Sequence, residues 1–98
     1  MLRHIVMWKF RPGPEAERDL FLTGLQGLYG AIPELKSCQV LRGMEGSDYD
    51  AVLISEFADR AALETYKNDP RHKAVSALCK SIRADRAAVD CLLPDPEE

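Results

Sequence analysis

The sequence predicts an α+β domain of βαββαβ order, with two helical regions covering one face of a four-stranded antiparallel sheet. Three observations predict it. Apolar and polar residues alternate in four short segments, helical periodicity fills the intervals near residues 14–29 and 59–82, and Pro, Gly, Asn and Asp punctuate the junctions. At 98 residues the chain is read as one domain, 1–98.

The first strand is Leu2–Phe10. Leu2, His4, Val6, Trp8 and Phe10 share one side, and Arg3, Ile5, Met7 and Lys9 the other. The Arg11–Pro14 segment breaks it, and Pro14 suits a first helical position, with Glu15 and Glu17 where the helix dipole favours negative charge. Helix one is predicted from Pro14 to Tyr29, with Phe21, Leu25, Leu28 and Ile32 on one face, broadened by Leu22 and Tyr29. Gly24 and Gly27 each cost about 1 kcal/mol relative to Ala inside a helix, so a close backbone approach is expected there. Gly30 caps the end, and Pro33 prevents continuation.

Strand two is read as Leu35–Gly43, with Cys38, Val40 and Arg42 on one face, and Gly43–Asp50 as the hairpin connection, where Asp48 and Asp50 are turn formers. Strand three, Ala51–Phe57, is apolar on both faces, as a central strand is. Asp59 is an N-cap for a helix carrying Leu63 and Tyr66; Asn68-Asp69-Pro70 interrupts it, and Asp69 caps a second segment on which Val75, Leu78, Cys79 and Ile82 follow the amphipathic spacing. Strand four is read as Arg86–Leu93, and the residues from Pro94 as a frayed tail.

This order is the split-βαβ, ferredoxin-like plan. Two helical regions cover one face of the sheet only, yet strands one and three present apolar side chains to both. A second layer is therefore expected over Ile5, Met7 and their neighbours, and a second copy of the same sheet supplies it, giving a homodimeric α/β barrel joined through the sheet face.

Composition narrows the function classes. Asp and Glu number 16 against 13 Lys and Arg, and the basic residues are scattered, which argues against nucleic acid and anionic membranes as partners. No stretch reaches transmembrane length, and Met1–Phe10 is too polar for a signal segment. Cys38, Cys79 and Cys91 are odd in number with no CxxC pair, so reduced thiols, buried as small hydrophobes, and a cytoplasmic location are expected.

Chemistry can be carried by few residues. His4 shares the helix-side face with Val6, Trp8 and Phe10, and His72 precedes Val75 by three residues, so both imidazoles are expected to face one interior with Tyr66 near its mouth. Taken singly, each histidine reads as a core residue bonded to backbone or carboxylate. Taken together they suit acid–base work near neutral pH, with Tyr66 donating to a developing oxyanion. The positive helix end is expected to keep His72 neutral. Val6, Trp8 and Val75 are the candidate substrate-contacting residues. Two histidines without a patterned Cys or carboxylate are a poor ligand set, so no metal and no cofactor are expected.

The chain resembles the stress-responsive A/B-barrel domain family, also called the dimeric α/β-barrel (Dabb) family. The match is carried by His4–Gly13 (HIVMWKFRPG), Ile32-Pro33, Tyr49-Asp50 leading into Val52–Phe57, Tyr66, Asp69-Pro70-Arg71-His72, and Val89-Asp90, in that order over nearly the whole chain. The resemblance implies a ferredoxin-like fold and a homodimer. Some plant members of the family are polyketide cyclases that close a ring by an aldol-type condensation without cofactor or metal. By that resemblance His4, Tyr66 and His72 match the positions that serve the chemistry, His72 removing a proton next to a carbonyl while Tyr66 and His4 polarise the oxygen. Asp69 departs from the pattern, since those cyclases tend to carry another histidine there. The family-level expectation is a homodimer that binds a small molecule. The alternatives are a cofactor-independent lyase or cyclase and, further off, a cofactor-free monooxygenase.

Overall fold

Alternation in Leu2–Phe10 resolves into a nine-residue strand, β1, whose even-numbered side chains are all buried while Lys9 is exposed. The computed structural model describes residues 1–94; the tail expected from Pro94 onward lies, for 95–98, outside the described residues. After β1 come α1 (Glu15–Gln26), β2 (Ser37–Arg42), β3 (Ala51–Phe57), α2 (Arg60–Asn68), α3 (Pro70–Lys80) and β4 (Arg83–Leu92). The sheet order is β2-β3-β1-β4, antiparallel at every pair, so the two apolar strands take the centre.

Several boundaries differ from the sequence reading. Helix α1 stops at Gln26, three residues early, because Gly27 serves as its C-cap and the chain then turns through Gly30 at φ +87°. Phe21, Leu22, Leu25, Leu28 and Ile32 are buried as expected, but Tyr29, beyond the helix, is exposed. The expected close approach occurs at one glycine: a Cβ on Gly24 would stand 3.3 Å from both methyls of Val75, which lets α1 and α3 pack. Strand β4 begins at Arg83 rather than Arg86, since its pairing with β1 continues past a register shift to Phe10↔Arg83. Leu78 is exposed, so the buried stripe of α3 narrows to Cys79, extended by Ile82 after the helix.

The α2–α3 break follows the expected chemistry. Asp59 accepts from Ala62 N at 2.8 Å and Asp69 from Arg71 N at 2.8 Å, and Pro70 takes the first position of α3. The Arg71 guanidinium then donates to Asp69 and to the Ala31 carbonyl at 2.6 Å, tying the start of α3 to the loop after α1. Asp50 does more than form a turn: its carboxylate accepts from Phe10 N at 2.8 Å, and its own N–H donates to Trp8 O.

One apolar cluster fills the space between sheet and helices, from Leu2, Val6 and Trp8 on β1 to Phe57, Leu63 and Tyr66. Among the described residues, no helix covers the opposite face of the sheet. By register, Leu41, Val52, Ile54, Ile5, Met7, Ala87, Val89 and Cys91 lie on it side by side, with the Arg3–Glu56 ion pair at one end. Leu41 and Val89 are about half exposed, at 47% and 52%. Cys91 is therefore exposed rather than buried as expected, because its parity puts it on this uncovered face.

Candidate functional site

His4 is fixed by the β1–β4 register, which sets it opposite Asp90. Its Nδ1 lies 2.5 Å from Asp90 Oδ1, and the residue is almost wholly buried. His72 sits in the first turn of α3, where Asp69, Pro70 and Arg71 place it, and its Nδ1 lies 3.2 Å from the Lys67 carbonyl. A carbonyl only accepts, so His72 carries its proton on Nδ1; a carboxylate at 2.5 Å sets the same tautomer for His4. Each neutral ring therefore keeps Nε2 as an unprotonated acceptor.

Burial holds both imidazoles neutral. His4 is pushed below its ordinary 6.5 by desolvation, with the Asp90 hydrogen bond and charge acting the other way. His72 is lowered first by burial, against the pull of the Lys67 carbonyl, and further by the Lys67 charge and by the charge His4 carries once protonated. Burial thus acts in the same direction as the helix end the sequence pointed to. Burial also acts to raise Asp90, but the His4 bond and the charges of His4, Lys67 and Arg60 leave its carboxyl below the usual range.

The two histidines line one cavity of about 50 Å³, together with Val6, Trp8, Phe21, Leu25, Leu53, Ser76, Cys79, Arg83 and Arg86. That volume holds a water or two, not a metabolite. Outside it, sharing His72 and Ser76, lies a cleft of about 340 Å³ walled by Lys67, Lys73, Ala77 and Lys80. Among the described residues no three His, Cys, Asp or Glu side chains gather in a way that could hold a metal.

Of the expected substrate-contacting residues, Val6 and Trp8 line the cavity; Val75 does not, packing instead on Gly24. Tyr66 also stands apart from the lining. Its ring is wholly buried, tilted against His72 at 4.5 Å and Phe57 at 5.0 Å between centroids, and its hydroxyl has no hydrogen-bond partner among the described residues. Burial pushes the phenol well above its ordinary range, with Cys38 nearby adding to it. The Cys38 thiol is itself raised to about 11 by burial.

A family model described as stress responsive A/B barrel domain (Dabb) matches residues 2–92. The chain belongs to the Dabb family. No curated protein matches it. Among solved structures, a dimeric ferredoxin-like protein of unknown function from Thermobifida fusca is 27% identical, with TM-score 0.82 over 94% of this chain and 90% of that one. A Dabb protein with a ferredoxin-like fold from Mesorhizobium loti is 25% identical, with TM-score 0.79 over 95% and 96%. A hydroxynitrile lyase from Passiflora edulis, 12% identical, shares the fold alone, with TM-score 0.83 over 99% and 96%.

Sequence reasoning about this Dabb protein missed the group that orients His4. Asp90 entered only within the Val89-Asp90 stretch of the resemblance. Its signal was parity: an acid between Val89 and Cys91 must point to the helix side of the sheet. The basic rim was missed because Lys67, Lys73, Lys80, Arg83 and Arg86 come from three elements and look scattered along the chain.

The orphaned Tyr66 hydroxyl gives a direct expectation. Tyr66→Phe removes a buried polar group that has no partner, so stability rises by about 1 kcal/mol, read as a higher urea midpoint at unchanged m-value. A loss of stability instead would mean that the hydroxyl is bonded in solution.

Proposed function

We propose that this Dabb protein is a homodimer, paired through the uncovered sheet face, that binds a small molecule in the cleft at His72 and works in the cytoplasm, where its three free thiols stay reduced. The observation that carries the binding reading is the meeting of cleft and cavity at His72 and Ser76. There a solvent-open volume of about 340 Å³, at the lower end of ligand sites, adjoins the cavity lined by two imidazoles with unprotonated Nε2 atoms. Support for pairing comes from the continuous apolar face and from relatives described as dimeric.

A second reading, a cofactor-independent lyase or cyclase, is favoured by the same two Nε2 atoms. His72 Nε2 would take the proton from a carbon next to a carbonyl, and the C–H electron pair would move to give an enolate whose charge falls on the carbonyl oxygen. His4, oriented by Asp90, would stand as the second base. Tyr66 could reach that oxygen only if its ring moved, because the cavity lining excludes it.

The test is a thermal-shift screen of a metabolite pool on the wild type and His72→Ala. A ligand present at ten times its Kd stabilises by about 1.4 kcal/mol, roughly 5–10 °C in Tm for a chain this size. The expected outcome is a shift in the wild type that His72→Ala abolishes while remaining folded and dimeric. Ligands that shift both proteins equally would place binding elsewhere.

A further inference from the structure

The charge around this site is one-sided. The cavity and cleft together are lined by Lys67, Lys73, Lys80, Arg83 and Arg86, five of the chain's 13 Lys and Arg, and by both histidines, yet by none of its 16 Asp and Glu. In an acidic chain with net charge −3, an even spread would put carboxylates among them. Among the described residues, Lys73, Lys80, Arg83 and Arg86 have no carboxylate within 4.0 Å, and Lys67 reaches only Glu64 at 3.9 Å. Asp90, the acid beside the cavity, is held by His4.

The lysines come together because Lys67 ends α2 while Lys73 and Lys80 lie seven residues apart on α3, which returns them to one side of that helix with Ser76 and Ala77 between. Like charges set this way repel one another, and a counter-charge in the cleft relieves the repulsion. Behind the rim the small cavity sets apolar walls, Val6, Trp8, Phe21, Leu25 and Leu53, beside His4, Arg83 and Arg86. The cleft is thus the cationic volume with room for a ligand.

We propose that the ligand of this cleft is an organic anion, its carboxylate or phosphate among Lys67, Lys73 and Lys80 and its carbon skeleton lying within the cleft against Ala77 and His72. The inference rests on the binding reading above and adds the class of ligand. The anion fits because opposite charge at the solvent-open mouth is favoured and screened by salt, whereas a neutral ligand leaves the lysines' repulsion in place. Carboxylate and phosphate share that chemistry.

Three probes with one tail separate the cases: octanoate, octyl phosphate and octanamide, each titrated into the intact protein while the His72 ring protons are followed by NMR, with assignment by their loss in His72→Ala. Both anions are expected to bind about tenfold or more tighter than octanamide at low salt, the gap shrinking as salt is added. The exposed pair Lys73→Glu and Lys80→Glu, made together, is expected to abolish that advantage. Whichever anion binds tighter identifies the head group. Octanamide binding as tightly as the anions would overturn the charge assignment and leave the pocket reading standing. An anion advantage that survives the double substitution would overturn the lysines' role. Failure of all three probes to bind would overturn the proposal, and the metabolite screen, which does not depend on charge, then judges the pocket reading alone.

Discussion

Ile5→Lys is expected to turn the proposed dimer into a folded monomer. Ile5 lies mid-strand on β1, between Ile54 and Val89 on its neighbours, at the centre of the face that carries no helix. Two-fold pairing meets the substitution twice, so two unpaired ammonium groups would have to leave water in one interface. A cost of about 4 kcal/mol per dimer corresponds to roughly a thousandfold in Kd. The helix-side core is untouched because Ile5 has the opposite parity to Val6, and the chain should keep its far-UV circular dichroism. Leu20→Lys, on the exposed side of α1, is the matched control and should leave association unchanged. Sedimentation velocity at micromolar concentration decides the matter: an Ile5→Lys variant that still sediments as a dimer would place the interface elsewhere.

Asp90→Ala is expected to cost about 1–3 kcal/mol, because it leaves the buried Nδ1–H of His4 without an acceptor. Asp90→Asn keeps an acceptor oxygen and should recover most of that loss. The variants also differ in acid. Folded His4 binds its proton less readily than the unfolded chain, whose value is near 6.5. Its contribution to stability is therefore complete above pH 6.5 and is lost as the pH falls through the lower folded value. Asp90 is the group that raises His4 against the effect of burial, so its removal depresses the folded value further and deepens the loss below pH 6.5. Asp90's own carboxyl is held below its ordinary 3.8. Urea unfolding of the wild type and Asp90→Ala at pH 8 and pH 5 should show a larger gap at pH 5. An equal gap at both would mean that Asp90 does not govern the His4 proton.

Parity and capping made most of the fold legible. A strand alternates faces at every residue, so reading Leu2–Phe10 correctly placed His4, Val6 and Trp8 on the helix side at once. Asp59, Asp69 and Pro70 marked both helix starts through bonds that depend only on neighbouring residues. Where boundaries failed, the cause was tertiary. Nothing local to Arg83 says that β1 extends far enough to pair with it, and the helical period around Tyr29 continues after Gly27 has ended the helix. The site was half legible for the same reason. His4 and His72 could be brought to one interior by face and period, but whether Tyr66 points in depends on the rotation of α2 against Phe57, which no sequence period records. The cationic rim depends on how α2, α3 and β4 converge, and only their packing reveals it.

Strand β1 has a consequence beyond its place in the sheet. Its odd-numbered residues Ile5 and Met7 look toward the proposed twin, while its even-numbered residues His4, Val6 and Trp8 look into the cavity. In a pair built on that face, the two pockets open outward, back to back, with both sheets and the packing between them in the way, so neither can lend a side chain to the other. Only the single thickness of β1 backbone separates the face carrying Ile5 and Met7 from the cavity lined by His4, Val6 and Trp8.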